Sequence, residues 1–231
     1  MFFAASPQIA IVPQIQKVNY DPKTSFAPVS VFGTGPFILG INASIPAKTL
    51  AELVVYAKSR KINYGSSGAG SIAHLAAALF VARAGLDAVH VPFRGSGQVT
   101  AALLGGQVDM FFGNASDLVP HAESGRVTLL GVAAPARMKQ LPNVPTIGES
   151  YPDMSLQSWN GFLAPAQTPQ PIIDKLAKHV IAAAKDPATV AQLAALGIES
   201  NGTTPVEFAA QISREQPQFD DAIKAANLKP E

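Results

Sequence analysis

Between Asn63 and Leu75 the chain reads Asn-Tyr-Gly-Ser-Ser-Gly-Ala-Gly-Ser-Ile-Ala-His-Leu. Ser66, Ser67 and Ser71 bring hydroxyls that donate or accept. Gly65, Gly68 and Gly70 lack a Cβ, so the backbone is free to take positive φ and to approach a ligand closely. Ile72, Leu75, Ala76, Leu79 and Phe80 then recur at helical spacing, which predicts an amphipathic helix opening directly after the loop. Its first-turn N–H groups face back into the loop, and a helix N-terminus with free donors suits an anion. The spacing Gly65-x-x-Gly68-x-Gly70 is neither the dinucleotide fingerprint nor a P-loop, and no Lys follows the last Gly, which disfavours a nucleotide phosphate. A packed strand-to-helix turn is the alternative reading of the same residues.

Other residues join the candidate set with an alternative beside each. Ser67 and Ser71 are ligand contacts or helix caps. Ser6 and Gln8 form a polar stretch after an apolar strand. His74 falls opposite the Ile72/Leu75/Leu79 stripe, so it reads as outside the core, either a ligand donor or a solvated, capping histidine. Arg94 opens a second small-residue loop, Arg94-Gly95-Ser96-Gly97, as a carboxylate partner or a surface cation. Asn114, between a strand and a helix, is a pocket amide or a turn residue. Ser67, His74 and Asp109 can be cast as a hydrolase triad, but the Gly-x-Ser-x-Gly elbow is missing. The four histidines show no His-x-x-x-His metal spacing. The reading is therefore not an enzyme, with no cofactor and no metal.

Composition narrows the classes further. The 231 residues are 48% hydrophobic and only 14% charged, too apolar for a disordered chain and long enough for a substantial core or two modest lobes. A net charge of +1 lacks the basic excess that nucleic acid demands. With no cysteine there is no disulfide framework, thiolate nucleophile or Cys-bound metal. No apolar run reaches the roughly 18 residues of a membrane span. Met1–Val12 is apolar, but its first cation is Lys17 and Pro7 interrupts it, so Phe2–Ala5 reads as a strand rather than part of a signal peptide.

The elements that position the loops follow in order. Ser6-Pro7-Gln8 ends the first strand. Ala27–Phe32 and Phe37–Ile41 read as two strands separated by Gly33-Thr34-Gly35-Pro36. Thr49-x-x-Glu52 is a capping box. The Gly/Ser loop and its helix come next, then strand Val89–Phe93 and a helix over Val99–Leu104. Strand Val108–Phe112 leads through Gly113-Asn114-Ala115-Ser116 to a helix ending near Gly125, and Val127–Ala133 is a further strand. Three strand–loop–helix units in succession predict a parallel, doubly wound sheet with ligands beyond the carboxyl ends of its strands. Pro135–Asp153 is irregular and Ser158–Ala164 a strand. Three helices then start at Thr168-Pro169, Asp186-Pro187 and Thr204-Pro205, the last with a Glu207 capping box. Gly197 ends the middle helix, and Pro217 is expected to kink or split the last.

Several motifs in this order carry a resemblance. Tyr20-Asp21-Pro22 and Phe26-Ala27-Pro28-Val29 come first. Tyr64-Gly-Ser-Ser-Gly-x-Gly-Ser-x-x-His-Leu, Val91-Pro-Phe-Arg-Gly-Ser-Gly and Leu104-Gly-Gly-Gln-Val-Asp-Met follow, then Leu141-Pro-Asn-Val-Pro-Thr and Trp159-x-Gly-Phe-x-Ala-Pro. Over essentially its whole length the chain resembles the solute receptors of tripartite tricarboxylate transporters, the Bug-type extracytoplasmic binding proteins. The resemblance implies an α/β fold of the type II periplasmic-binding-protein kind, two lobes with a ligand cleft that closes on binding, and Trp159 packed between them. It implies a periplasmic, monomeric receptor that captures a small carboxylate and passes it to membrane permease subunits, with no nucleic acid and no membrane span. Carboxylate contacts in such receptors come from loop N–H groups, hydroxyls and waters, which agrees with the Gly/Ser loop. The expected division is an outer lobe over 1–38 and 140–231 and an inner lobe over 39–139, with a later return at Ser158–Ala164 as the other placement of the crossing. A ligand-sensing module of a regulatory system is the other class open to this fold. Set against the family pattern, the expectation is a receptor short of its opening segment before Phe2, roughly 60–70 residues on the ~30-residue scale of a βαβ unit. The expectation is a signal peptide lost with it and a strand edge left exposed.

Overall fold

The structure, a computed structural model, describes residues 1–229. In chain order, β1 (Phe2–Ala5), α1 (Ser6–Ala10) and α2 (Val12–Ile15) lead to the long strand β2 (Phe26–Asn42). α3 (Leu50–Lys58), β3 (Ile62–Ser66), α4 (Ile72–Ala84), β4 (Ala88–Pro92), α5 (Ser96–Leu104), β5 (Met110–Gly113), α6 (Ala115–Glu123) and β6 (Val127–Ala133) come next. A short 3-10 turn at Ile147–Glu149 precedes β7 (Gln157–Pro165), α7 (Gln170–Ala184), α8 (Pro187–Ala195), β8 (Glu199–Ser200) and α9 (Pro205–Ala225). The chain divides into two compact units. One holds Met1–Gly35, Ser158–Asp220 and residues 228–229; the other holds Pro36–Gln157 and Asp221–Asn227.

In the second unit the strand order is β6-β2-β5-β3-β4. β3 is parallel to β4, pairing Ile62 with Ala88 through Ser66 with Pro92, and parallel to β5 at Tyr64–Met110 and Gly65–Phe111. β2 is antiparallel to both β5 and β6. The sheet is thus mixed, not wholly parallel as the three strand–loop–helix units predict. The helical crossovers α4 and α5 return the chain to run β3, β4 and β5 the same way, as parallel pairing requires. β2 enters the sheet without such a crossover and runs against its neighbours. Because β5 and β6 both oppose β2, the strands β3 to β6 share one direction. The loops after β3, β4 and β5 therefore emerge at one edge of the sheet.

The core of this unit sets Ile38, Val99, Leu103, Phe111, Leu118 and Val132 against one another. α4 is not one-sided as its stripe suggests: every residue from Ile72 to Phe80 is buried. Alanines at 73, 77 and 78 carry so little side chain that neighbours close over the face opposite Leu75 and Leu79. Residues 140–157 also belong here, so the unit reaches beyond the 39–139 expected. Val132 bridges Thr146, and the Val132 N–H donates to Pro145 O at 2.9 Å. Gly131 lies so close to Ile147 that a Cβ built on it meets Cγ1 at 2.8 Å. Arg137 holds Glu149 by two bonds, Nε–Oε1 at 2.9 Å and Nη2–Oε2 at 2.7 Å, while Thr146 N–H donates to the same carboxylate at 2.9 Å.

In the first unit β1 pairs antiparallel with β7, Phe2 opposite Leu163 through Ala5 opposite Asn160, and β7 lies beside β2. β8 joins β2 at Gly33 and Thr34. Gly33-Thr34-Gly35-Pro36 does not break the strand. Gly33 is required for close packing rather than for a turn, since a Cβ there meets Ile198 Cγ2 at 2.8 Å. Trp159 is buried inside this unit, edge-on to Phe208 at 4.8 Å and 84°, among Ala4, Ile9, Val31 and Leu163. It is a core residue of its own unit. Phe2 and Phe3 stay exposed, each against another ring, Phe26 at 4.9 Å and Phe162 at 5.0 Å.

The helix starts obey capping chemistry. Asp186 Oδ1 accepts from the N–H groups of Ala188 and Thr189, both at 3.0 Å. Thr204 and Glu207 exchange bonds of 2.8 and 3.2 Å as a capping box. α7 begins one residue later than expected, at Gln170 after Pro169. Of the kink or split expected at Pro217, the split does not occur: α9 runs on through it. Pro217 is exposed, so the ring projects to solvent while Phe219 and Ala222 continue the buried face.

Candidate functional site

The loop after β3 is tied to the loop after β4. Phe93 N–H donates to Ser66 O at 2.9 Å, and Gly95 N–H donates to Ser67 O at 3.3 Å. Gly70 has φ +76°, a left-handed conformation that a Cβ would disfavour, and it turns the chain into the Ser71 N-cap of α4. Ser71 Oγ accepts from His74 N–H at 3.2 Å and donates to Gly68 O at 2.8 Å. Gly65, expected to bend the loop, lies within β3 instead. A Cβ there meets Val99 Cγ1 at 2.6 Å, so its smallness admits α5.

The three serines differ. Ser66 is fully buried; its Oγ lies 2.6 Å from His90 Nε2, 3.0 Å from Gly68 O and 3.3 Å from Gly68 N. Ser71 is engaged as the cap. Ser67 is half-buried, and among the described residues its hydroxyl makes no hydrogen bond. α4 offers no acceptor of its own to its first amides, and among the described residues those of Ile72 and Ala73 meet none elsewhere. The loop thus presents a free hydroxyl and free N–H donors at the positive end of a 13-residue helix.

His74 corrects the sequence reading. It is 3% exposed, not solvated. Its Nδ1 accepts the Gly70 N–H at 3.2 Å, and its ring stacks on His90 with centroids 3.7 Å apart and planes within 8°. Tyr64 continues the stack, 5.2 Å from His90. Burial, reinforced by the neighbouring His90, lowers the His74 pKa to about 4, and burial lowers that of His90 as well. Both rings are neutral near pH 7. His90 and Tyr64 escape detection in the sequence because Tyr64 and His90 face each other only through the β3–β4 register.

The remaining candidates are distributed as follows. Arg94 is exposed, and its N–H donates to Gln98 Oε1 at 3.1 Å. Asn114 uses its N–H and its Nδ2 on Asp117 Oδ2 at 3.1 and 3.0 Å, so that much of the amide is committed to capping α6. Ser6 and Gln8 lie in the first unit, on a helical turn rather than in a polar loop. Pro7 suits a helix start, and Gln8 Oε1 caps it by accepting from Ala5 N–H at 2.6 Å. Ser6 is fully buried, and its Oγ meets no partner among the described residues. Asp109 Oδ2 accepts from Asn63 N–H at 2.6 Å while His74 Nδ1 holds Gly70, so the Ser67–His74–Asp109 triad is not assembled. Among the described residues no group of three His, Cys, Asp or Glu is placed to hold a metal.

Comparison with known proteins decides the family. The sequence matches the tripartite tricarboxylate transporter family receptor over residues 2–228. The chain belongs to that family. A UPF0065 protein from Bordetella bronchiseptica is 28% identical over the whole of this chain and 69% of its own length. For the next two curated relatives the chain spans 63% and 62% of their lengths, so it covers about two thirds of the proteins it matches. R. palustris Rpa4515, solved with adipate, superposes with a TM-score of 0.83 at 29% identity, covering 99% of this chain and 78% of that one. MatC from Rhodopseudomonas palustris, solved with bound malate, gives 0.78 at 28% identity, covering 96% and 78%. The family is one of solute-binding receptors, not enzymes, and its two-lobed periplasmic-binding-protein architecture is the fold this chain shares.

Proposed function

We propose that this receptor captures a small mono- or dicarboxylate at the Ser66–Ser71 loop, with Ser67 and the first amides of α4 as its donors. It works in the periplasm and passes the acid to the permease subunits of a tripartite tricarboxylate transporter. The observation that carries the reading is the division of labour in the loop: Ser66 and Ser71 are consumed by structure, whereas Ser67 and the Ile72 and Ala73 amides remain free at a helix N-terminus. Donors of that kind stabilise an anion, by about 0.3–1 kcal/mol at an exposed helix end and more when partly buried. Their position at the carboxyl ends of parallel strands is where open α/β sheets take ligands. Similarity to receptors solved with adipate and malate supports an acid over a sugar or an amine. Among the described residues no helix is long and apolar enough to cross a membrane.

Calorimetric titration of the full chain against adipate, malate, a neutral hexose and a diamine tests the reading. Saturable binding of one or both acids is expected. In Ser67→Ala the affinity should fall by roughly 10- to 100-fold, the worth of one hydrogen bond to a charged group. Tight binding of the sugar without response to either acid would refute the proposal.

A further inference from the structure

The segment Gly68-Ala69-Gly70 is held at one end by a serine hydroxyl that meets an imidazole and at the other by an imidazole directly. At one end Ser66 Oγ bonds the Gly68 peptide and lies 2.6 Å from His90 Nε2. At the other, the Gly70 N–H donates to His74 Nδ1. The two rings are stacked face to face, so each fixes the plane of the other. We infer that His74 is a positioning residue for the carboxylate loop: as a neutral acceptor it pins the Ala69–Gly70 peptide, and with it the Ser71 cap and the open amides of α4, so that acid binding depends on its deprotonated Nδ1. The inference rests on the loop being the carboxylate site.

The tautomer follows from the partner. A backbone N–H only donates, so Nδ1 carries the lone pair and Nε2 carries the proton. Protonation would place a second donor, Nδ1–H, against the Gly70 N–H, and the bond would be lost. His90 differs, because its Nε2 can donate to Ser66 Oγ in either charge state. The surroundings hold His74 neutral. α4 packs on β3, β4 and β5, whose only titratable side chains are Tyr64 and His90, and further along it meets Tyr151 and Pro152 through Phe80 and Arg83. Asp109, just before β5, is engaged by Asn63 N–H, and Arg83 lies at the far end of α4. On these elements no carboxylate stands by to compensate a proton on the ring. Burial and the adjacent imidazole therefore agree with the geometry.

Two substitutions separate acceptor from ring. In His74→Asn, Oδ1 takes the place of Nδ1 as acceptor, the aromatic stack is lost and nothing titrates. In His74→Phe the stack remains and the acceptor is gone. On the full chain, the Gly70 amide is followed by its nitrogen-15 resonance and exchange protection, and malate and adipate affinities by calorimetry. In the wild type the imidazole nitrogens should report a bare Nδ1, and the Gly70 amide should move only as pH falls toward about 4. His74→Phe should lose Gly70 protection and acid affinity by about tenfold each, the worth of one net hydrogen bond. His74→Asn should recover both to within about threefold and abolish the pH response of Gly70. Unchanged Gly70 protection in His74→Phe overturns the inference. So does His74→Asn behaving like His74→Phe, or a wild-type His74 with a protonated Nδ1 at neutral pH. Should neither acid bind the wild type, that failure belongs to the proposed ligand, and the Gly70 readouts still decide the role of His74. Should His74→Phe not fold, the wild-type tautomer and its titration decide.

Discussion

Ser67 and Ser71 stand four residues apart in one loop, yet their hydroxyls are differently employed. Ser71 caps α4 and ties back to Gly68, so Ser71→Ala should cost about 1 kcal/mol of stability, read as a lower urea midpoint. Ser67→Ala should leave that midpoint unchanged and weaken only the acid. Equal losses of stability in the two variants would show that Ser67 is structural after all. The serine pattern was visible in the sequence, but its division was not, because it depends on which amides and rings lie within reach. His74 was misjudged for a related reason: helical spacing shows where large apolar residues recur, not that alanines let neighbours cover the other side. Its burial has a consequence for pH. The folded ring resists a proton down to about 4, while in the unfolded chain it takes one up near its ordinary value of 6.5. Unfolding therefore binds protons between those two values, and stability rises with pH across that window, being fully present above it and lost below. Urea titrations at a series of pH values should show this slope in the wild type and a flatter one in His74→Asn; identical slopes would rule His74 out as its source. Glu149, lowered to about 2 by its hydrogen bonds to Arg137, acts in the same direction at lower pH.

At the scale of elements, local chemistry was the most legible part of the chain. Val127–Ala133, the Asp186 cap, the Thr204–Glu207 box and the stop at Gly197 all form where the sequence places them. The two caps and the glycine stop depend on neighbours within a few residues, and the strand on its own run of β-branched and apolar side chains as well as on its pairing with β2. The failures are elements whose outcome depends on distant packing. Gly33 and Gly35 looked like a turn, but β2 continues because Ile198 and β8 lie against Gly33. The antiparallel entry of β2 into the second sheet is likewise invisible locally, since nothing in its residues records the direction of its neighbours. Pro217 was expected to kink or split α9, and the helix is not split. Its ring still removes one helical N–H donor, and the Ser213 carbonyl one turn earlier loses that partner. Because Pro217 is exposed, Pro217→Ala should fill the gap without repacking anything and stabilise the chain by about 1–3 kcal/mol. A thermal melt that does not rise would mean that the missing hydrogen bond costs the helix little at this exposed position.

At the scale of the whole molecule, the division of the chain makes a statement about what the loop needs in order to fold. Pro36–Gln157 contains the half of β2 that pairs with β5 and β6 and all of β3, β4, β5 and β6, together with α3 to α6. Every hydrogen-bond partner of the loop described above, from Gly68 to Gly95, lies inside it. At about 120 residues it also falls within the ordinary size of an independent domain. A chain cut to 36–157 is therefore expected to fold by itself and melt in one cooperative transition. What it loses is the return segment Asp221–Asn227, which belongs to the same unit and buries Ala222 and Ile223. Exposing the surface that Ile223 covers should lower stability by about 1.5–3 kcal/mol, the usual worth of one buried aliphatic side chain. The fragment is thus predicted to be folded but weaker than the same unit in the full chain. It should still show the protected Gly70 amide, because the His74, His90 and Ser66 bonds are all internal to it. Circular dichroism melting and amide exchange of the fragment would test both halves of the expectation. A gradual, non-cooperative melt with an unprotected Gly70 would mean that the loop is shaped by the rest of the chain and not by the sheet beneath it.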